Sequence, residues 1–496
     1  MLETLAGIAA TGYIPNLLAG GLGNDRLAGG LGRNFLAGGS DAGILAYLFG
    51  GNDHDVVFYE GHGGGVTLDV SYEKSGEENA TLQLQGSGIE DRIIQVEEIE
   101  LTGGSDTLEF TSVLDNLEFG IMFNGKGSAA ADFDTLDFSG QASPVYLGNP
   151  ATGLWGLFAD TSPAVELFTS QSTILSWWQW LVNSVSGDPA SSLGLSGNTG
   201  VRFADFEKVI GTAGDDVLGL WRLNPGGVLD ETQKAQWAAA KALPNVSGNI
   251  DEHTAFSAAR VLAGGAIAQN QVNVLIEGGA GDDKIIGPAT GKVTIMGGEG
   301  DERLYAGGFT SVLDGGAGND FLDGGGLESQ LYGGEGQDTF RITNNTYVMD
   351  AETTDFVDWN IFRLTGGVQQ WWNESGWAYW SPMGALVGNL GMASLVGGGL
   401  LTMMADLIDG MAMMFARYAV GPAVNGTSDL VIQMGGGGIG QAVLKNYKFN
   451  SDGASTGNIE VFRIVLSNDY TLADLQKWVS KSVKQSTGLC ISGTDP

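Results

Sequence analysis

The chain has one cysteine, Cys490, in 496 residues, so no intrachain disulfide framework holds it together. Basic side chains are scarce: 23 Lys and Arg stand against 58 Asp and Glu, a formal charge of −35. A surface of that sign repels phosphate backbones, which excludes nucleic acid as a partner. Three histidines occur, His54, His62 and His253, and there is no HExxH segment, which removes the metalloprotease arrangement of two His on one helical turn. One G-x-S-x-G match, GASTG from Gly453, lies in a polar stretch with no His after it and lacks the strand-to-helix elbow that would activate a serine. No residue is assigned a catalytic role, and the chain reads as a non-enzyme. The first stretch, MLETLAGIAATGYIPNLL, lacks a basic n-region and carries Glu3, so no cleaved secretory leader is expected there.

Glycine is abundant, at 81 residues, yet 43% of the chain is hydrophobic. The glycines therefore punctuate a packed structure and do not mark low complexity. Four of the glycine-rich turns recur with a nearly constant step. They read GGAGDDKII from Gly278, GGEGDERLY from Gly297, GGAGNDFLD from Gly315 and GGEGQDTFR from Gly333, with starts 19, 18 and 18 residues apart. The pattern GGxGxDxUx, with U apolar, describes a metal-dependent repeat. Its glycines permit positive φ and a tight path. The turn exposes carbonyl oxygens, the sixth residue adds a carboxylate, and such hard oxygen donors suit Ca²⁺.

On these turns the chain resembles the RTX, or haemolysin-type calcium-binding, family. The resemblance implies a mainly β fold: a right-handed parallel β-roll in which two nonapeptides make one coil and several Ca²⁺ ions sit between stacked turns. Because the step is near 18, all four strong turns fall on one edge. The intervening half-coils, from Gly287, Gly307 and Gly324, have no Asp at the sixth place. One loaded edge with about three sites and a largely empty opposite edge are expected. The ligand turns contain Gly279, Gly281 and Asp283; Gly298, Gly300 and Glu302; Gly316, Gly318 and Asp320; and Gly334, Gly336 and Asp338. Glu302 departs from the motif.

A second cluster lies near the N-terminus. GGLGNDRLA from Gly20 is a full match, with Gly21, Gly23 and Asp25 as its ligand turn. In GGLGRNFLA from Gly29, Asn34 replaces the Asp; GGSDAGILA from Gly38 is degenerate; and GGNDHDVVF from Gly50 keeps Asp55. Two isolated turns follow, GGSDTLEF from Gly103 and GTAGDDVLG from Gly211, the latter with Asp215 and Asp216 as candidate ligands. Each comes after an acidic strand-like phrase, IIQVEEIEL and VRFADFEKVI.

The expected organisation is a first short roll at 1–60, then a β-rich region at 61–210 with a Trp-rich helical insertion. An RTX turn plus a helical insertion occupies 211–271, and the main roll 272–342. A C-terminal β cap spans 343–466, interrupted by an apolar insertion at 371–420, and a helix that doubles as a secretion signal spans 467–496. In that last segment Thr471 and Asp474 form a capping box, with Leu472, Leu475, Val479 and Val483 along one face. The 371–420 insertion has no charged side chain from Ser375 to Ala405 and holds seven of the twelve methionines. Two readings stand for it: a helical hairpin packed against the roll, or a segment that meets a membrane or a partner.

The resemblance implies export by a type I secretion machinery, an extracellular location and folding on Ca²⁺. Three functions are expected to compete. They are a secreted toxin-like protein touching membranes or host cells, a structural or adhesive surface protein, and the C-terminal part of a larger secreted hydrolase.

Overall fold

The computed structural model describes residues 16–20, 25–28, 32–37, 55–59, 64–74, 80–112, 121–126, 133–148, 165–171, 195–220, 273–287, 292–306, 310–324, 328–341, 346–359, 419–422, 429–433, 441–447, 461–464, 468–471 and 473. Among them the architecture is almost wholly β. Two sheets, of 16 and 15 strands, face each other, and the chain passes between them at two edges.

Short strands with one or two inward side chains dictate this form. Each coil places an aliphatic residue in the same inward position, so parallel pairing stacks like on like. In the first sheet Leu68, Leu108, Leu136, Val209, Ile276, Ile295, Leu313, Leu331, Val348 and Leu444 form one column through successive registers. In the second sheet Leu147, Leu218, Ile285, Leu304, Leu322, Phe340 and Val357 do the same. All of these are fully buried. Each contributes about 1.5–3 kcal/mol of apolar burial. Midway along, Phe110, Phe123, Phe138 and Phe203 fill the interior, with Phe110 stacked on Phe138 at 4.7 Å and Phe123 on Phe203 at 5.7 Å.

The main roll is regular. Strands Asn273–Ala280, Lys292–Glu299, Thr310–Ala317 and Glu328–Glu335 lie in the first sheet. Lys284–Ile286, Arg303–Tyr305, Phe321–Asp323 and Thr339–Arg341 lie in the second. Register aligns Gly279, Gly298, Gly316 and Gly334, so the four strong turns stack on one edge as their spacing requires. The pairing does not stop at the ends of this region. Lys208–Ile210 pairs with Leu275–Glu277, and Thr346–Val348 pairs with Gln441–Leu444.

Antiparallel strands interrupt the stack in two places and close it in a third. Thr67–Lys74, Ala80–Gly86 and Ile89–Ile94 form a meander within the first sheet. Val165–Gln171 is inserted between Tyr146–Gly148 and Leu195–Ala204 in the second. At the C-terminal end Ala419–Pro422, Leu430–Gln433 and Gln441–Leu444 pair antiparallel, as do Val461–Ile464 and Asn468–Tyr470. Such hairpins cap the open end that a parallel stack leaves. The Trp-rich stretch 174–185 expected to be helical, the helical insertion within 211–271, residues 371–418 of the apolar segment and most of the C-terminal helix lie outside the described residues, and the described parts of 141–200 that are regular are strands. Among the described residues no helix is long and apolar enough to cross a membrane.

Candidate metal-binding edge

The edge that carries the chain from the first sheet to the second is lined by an inner ladder of carboxylates. The carboxylate of one coil accepts the backbone amide of its counterpart in the coil before. Asp283 Oδ1 accepts from the amide of Asp216 at 2.8 Å, Asp320 Oδ1 from Glu302 at 2.8 Å, Asp338 Oδ1 from Asp320 at 3.0 Å and Asp355 Oδ1 from Asp338 at 3.0 Å. Near the N-terminus Asp55 Oδ1 accepts from Asp25 and Glu97 Oε2 from Asp55. A second, exposed ladder runs the other way through the fifth position of each turn. The amide of Asp282 donates to Asp215, that of Asp301 to Asp282, that of Asn319 to Asp301 and that of Gln337 to Asn319.

The inner ladder is buried, and its second oxygens are the unusual feature. Asp283, Glu302, Asp320 and Asp338 are each about 1% exposed. Oδ2 of Asp283 and Oδ2 of Asp25 have no hydrogen-bond partner, and Oδ2 of Asp320 and the oxygens of Glu302 have no donor from the rest of the protein, the two carboxyls facing each other. Leaving an ionised oxygen dry and unpaired costs several kcal/mol. Burial and the neighbouring acids accordingly push the Asp283 and Asp338 carboxyls up to about 7 and that of Glu302 up to about 9. Asp320 and Asp355 are raised for the same first cause, burial.

The glycines give the edge its shape. Gly279, Gly298, Gly316 and Gly334 have φ of 121°, 127°, 109° and 93°. A Cβ on Gly316 would enter the carbonyl oxygen of Gly298, and one on Gly315 would enter Asp320 Oδ2. Side chains at these places would fill the space between a carboxylate and the next turn's carbonyls.

Those donors fit Ca²⁺. The oxygens are hard, anionic or carbonyl, and spaced by a flexible turn that tolerates a large cation. Among the described residues no three His, Cys, Asp or Glu side chains converge. One carboxylate arrives per coil, so an ion between two turns would take its other ligands from backbone carbonyls. Asp283, Glu302, Asp320 and Asp338 would each serve such an ion, and a divalent charge would offset the burial and the repulsion that raise their pKa values.

The expected site residues do not all stand alike. Gly279, Gly281, Gly298, Gly300, Gly316, Gly318, Gly334 and Gly336 all adopt positive φ on the stacked edge. Asp25 sits on the same edge among the N-terminal coils, while Gly21 and Gly23 lie outside the described residues. Asp216 differs: Oδ1 accepts from the Val145 amide and the Thr212 hydroxyl, and Oδ2 from the Thr212 amide. Glu302 differs from the aspartates, since its carboxyl accepts no backbone amide and adds no rung to the ladder but faces Asp320.

The other edge carries acids as well. The amide of Asp106 donates to Asp134 Oδ1, and that of Asp134 to Glu207 Oε2, both at 2.7 Å. Residues 102–207 thus furnish a carboxylate ladder on the side opposite the strong turns. The half-coil corners of the main roll, where an empty edge is expected, lie almost entirely outside the described residues. Sequence reasoning missed Glu97, Asp134, Glu207 and Asp355. The signal for two of them was present in the acidic phrases. Gln95 and Asp205 turn the chain at φ of 52° and 58°, Val96 and Phe206 are buried, and the next residue is the ladder Glu.

The model of the RTX calcium-binding nonapeptide repeat matches this chain in four copies, at residues 14–45, 273–287 and 296–326. These matches cover the N-terminal turns from Gly20 and Gly29 and the turns from Gly278, Gly297 and Gly315. A search of curated proteins returned no match. Stacked glycine turns in register, one buried acid per coil and the repeat match together show that the chain carries RTX-type calcium-binding repeats.

Proposed function

We propose that this is a secreted protein whose acidic repeats stay unfolded until extracellular Ca²⁺ binds, after which it acts without catalysis at a membrane or cell surface. The observation that carries the first half is the row of buried carboxylate oxygens at Asp283, Glu302 and Asp320 that take no donor from the rest of the protein. Where Ca²⁺ is scarce, as in a cytosol, these acids repel and the coils have little reason to stack. Where it is abundant, an ion between successive turns neutralises them, and binding energy becomes folding energy. An unfolded chain suits a type I exporter, and folding outside would prevent return.

The second half rests on the sequence of 371–420, with its uncharged, Met-rich run behind clustered Trp and Tyr. Such composition suits an adaptable apolar contact. Two measurements test the reading. A far-UV circular dichroism titration with Ca²⁺ should show a cooperative gain of strand; no change would overturn Ca²⁺-driven folding. Dye release from liposomes at millimolar Ca²⁺ should require residues 384–416. No release, with both proteins folded, would end the membrane reading and favour a surface scaffold.

A further inference from the structure

Two corners of the stack are built from the same positions as the calcium turns but solve the carboxylate problem differently. In the turn Gly211–Asp216, position two is Thr212. Its hydroxyl donates to Asp216 Oδ1 at 2.9 Å and accepts from the Gly214 amide at 3.1 Å, while its own amide donates to Asp216 Oδ2 at 2.6 Å. The turn Thr102–Asp106 repeats this atom for atom. The Thr102 hydroxyl donates to Asp106 Oδ1 at 2.8 Å and accepts from Gly104, and its amide donates to Oδ2 at 2.8 Å. A backbone amide from an adjacent coil completes each set, Val145 for Asp216 and Val66 for Asp106.

The backbone differs in the same sense. The four main-roll turns need positive φ at both the second and fourth positions. Thr102 and Thr212 at position two and Gly104 and Gly214 at position four do not adopt it, so these turns accept a β-branched residue at position two. In the main roll that position is glycine, with no hydroxyl to offer, and an oxygen of Asp283, Glu302 and Asp320 is left over.

We infer that the Thr102–Asp106 and Thr212–Asp216 corners close without metal and that the second is the template for the calcium-dependent stack. The inference rests on the Ca²⁺-driven folding proposed above. Its geometry is direct. The strands flanking the Thr212 corner, Lys208–Ile210 and Val217–Gly219, pair in register with Leu275–Glu277 and Lys284–Ile286 of the first main coil. The amide of Asp216 is already held by Asp283, and that of Asp282 by Asp215. The first coil therefore meets a preformed edge and needs an ion only on its far side. Later coils meet one another across carboxylates that no hydroxyl satisfies.

Hydrogen exchange on the full chain tests this. With a chelator present, the amides of Thr102, Val145 and Thr212 should stay protected while those of Gly300 and Gly318 exchange freely; added Ca²⁺ should protect the latter pair. Thr212→Val, which keeps the β-branch but removes the hydroxyl, should raise the Ca²⁺ midpoint of the main roll about tenfold, the cost of one charge-assisted hydrogen bond. Thr212→Ser should restore most of it. If Thr102 and Thr212 exchange as fast as Gly300 in chelator, or if Thr212→Val leaves the midpoint unmoved, the template idea fails while Ca²⁺-driven folding stands. If Gly300 and Gly318 are equally protected with and without Ca²⁺, the parent reading fails as well.

Discussion

Asp320→Asn should stabilise the metal-free protein and destabilise the calcium form, and this reversal of sign is the sharpest consequence of the edge. Asp320 has two oxygens with different duties. Oδ1 accepts the amide of Glu302 at 2.8 Å, and asparagine keeps that bond with its own Oδ1. Oδ2 is buried without a donor from the rest of the protein and lies beside the Glu302 carboxyl, a juxtaposition that helps raise Glu302 to about 9. Replacing it with an amide nitrogen removes a buried negative charge beside the Glu302 carboxyl and offers that carboxyl a donor in its place. Screening reduces the raw Coulomb gain to about 1–2 kcal/mol in chelator. In Ca²⁺ the same change costs an anionic ligand. Exchanging a charged for a neutral donor loses about 1.5–3 kcal/mol, so the Ca²⁺ midpoint should rise about ten- to a hundredfold. Strand content in chelator and urea unfolding in saturating Ca²⁺, both followed by far-UV circular dichroism, read the two arms. A variant less stable in both conditions, or more stable in both, would refute the claim that Oδ2 is a metal-facing oxygen.

The pH response should also invert with metal. The Asp283 and Asp338 carboxyls stand above their unfolded range, at about 7, so their contribution to the metal-free fold is present below about pH 4 and lost as pH rises through 7. Strand content in chelator should grow on acidification from pH 8 to 5.5, whereas Ca²⁺ affinity should fall; a loss of strand on acidification in chelator contradicts this. Gly316→Ala forces a Cβ into the Gly298 carbonyl at a φ of 109°. It should cost about 2–4 kcal/mol in Ca²⁺, and a denaturation midpoint equal to the parent's would show that the turn relaxes freely. Glu302→Asp shortens the one irregular acid and should supply the missing rung, lowering the Ca²⁺ midpoint about two- to fivefold; a higher midpoint in a calcium titration would show that the longer side chain is needed.

Much of the fold could be read from spacing. A step of 18 or 19 residues between GGxGxD turns brings every second nonapeptide to one edge, and Gly279, Gly298, Gly316 and Gly334 are indeed in register. The apolar residue two places after each acid became the inward column Ile285, Leu304, Leu322 and Phe340. The candidate acids of those turns were equally legible. What repetition did not announce was harder to see. Asp134 and Asp355 stand in no glycine-rich phrase, and only pairing places them in ladders. The turns at Gly103 and Gly211 look alike, yet Asp106 precedes a strand of the first sheet and Asp216 one of the second. They therefore lie on opposite edges. A local motif fixes the shape of a corner, while the number of strands passed fixes its side, and antiparallel insertions such as Val165–Gln171 alter that count.

The two kinds of corner solve one problem in two ways. A parallel stack with one buried acid per coil repeats an unfavourable charge along its axis, and each coil touches only its neighbours. If every corner were sealed by a threonine, as at Thr102 and Thr212, the roll would fold wherever the chain was made. If none were, the first coil would have to order itself, bind an ion and find a partner at once, with no neighbour to share the entropy. The observed arrangement separates these tasks. Threonine-sealed corners stand at Asp106 and Asp216, and the second lies immediately before the run of Asp283, Glu302, Asp320 and Asp338. Ca²⁺ then governs the growth of the stack and not its start. This ordering also explains why position two is glycine in the main roll: the extra hydroxyl that would seal those turns would make them indifferent to the ion.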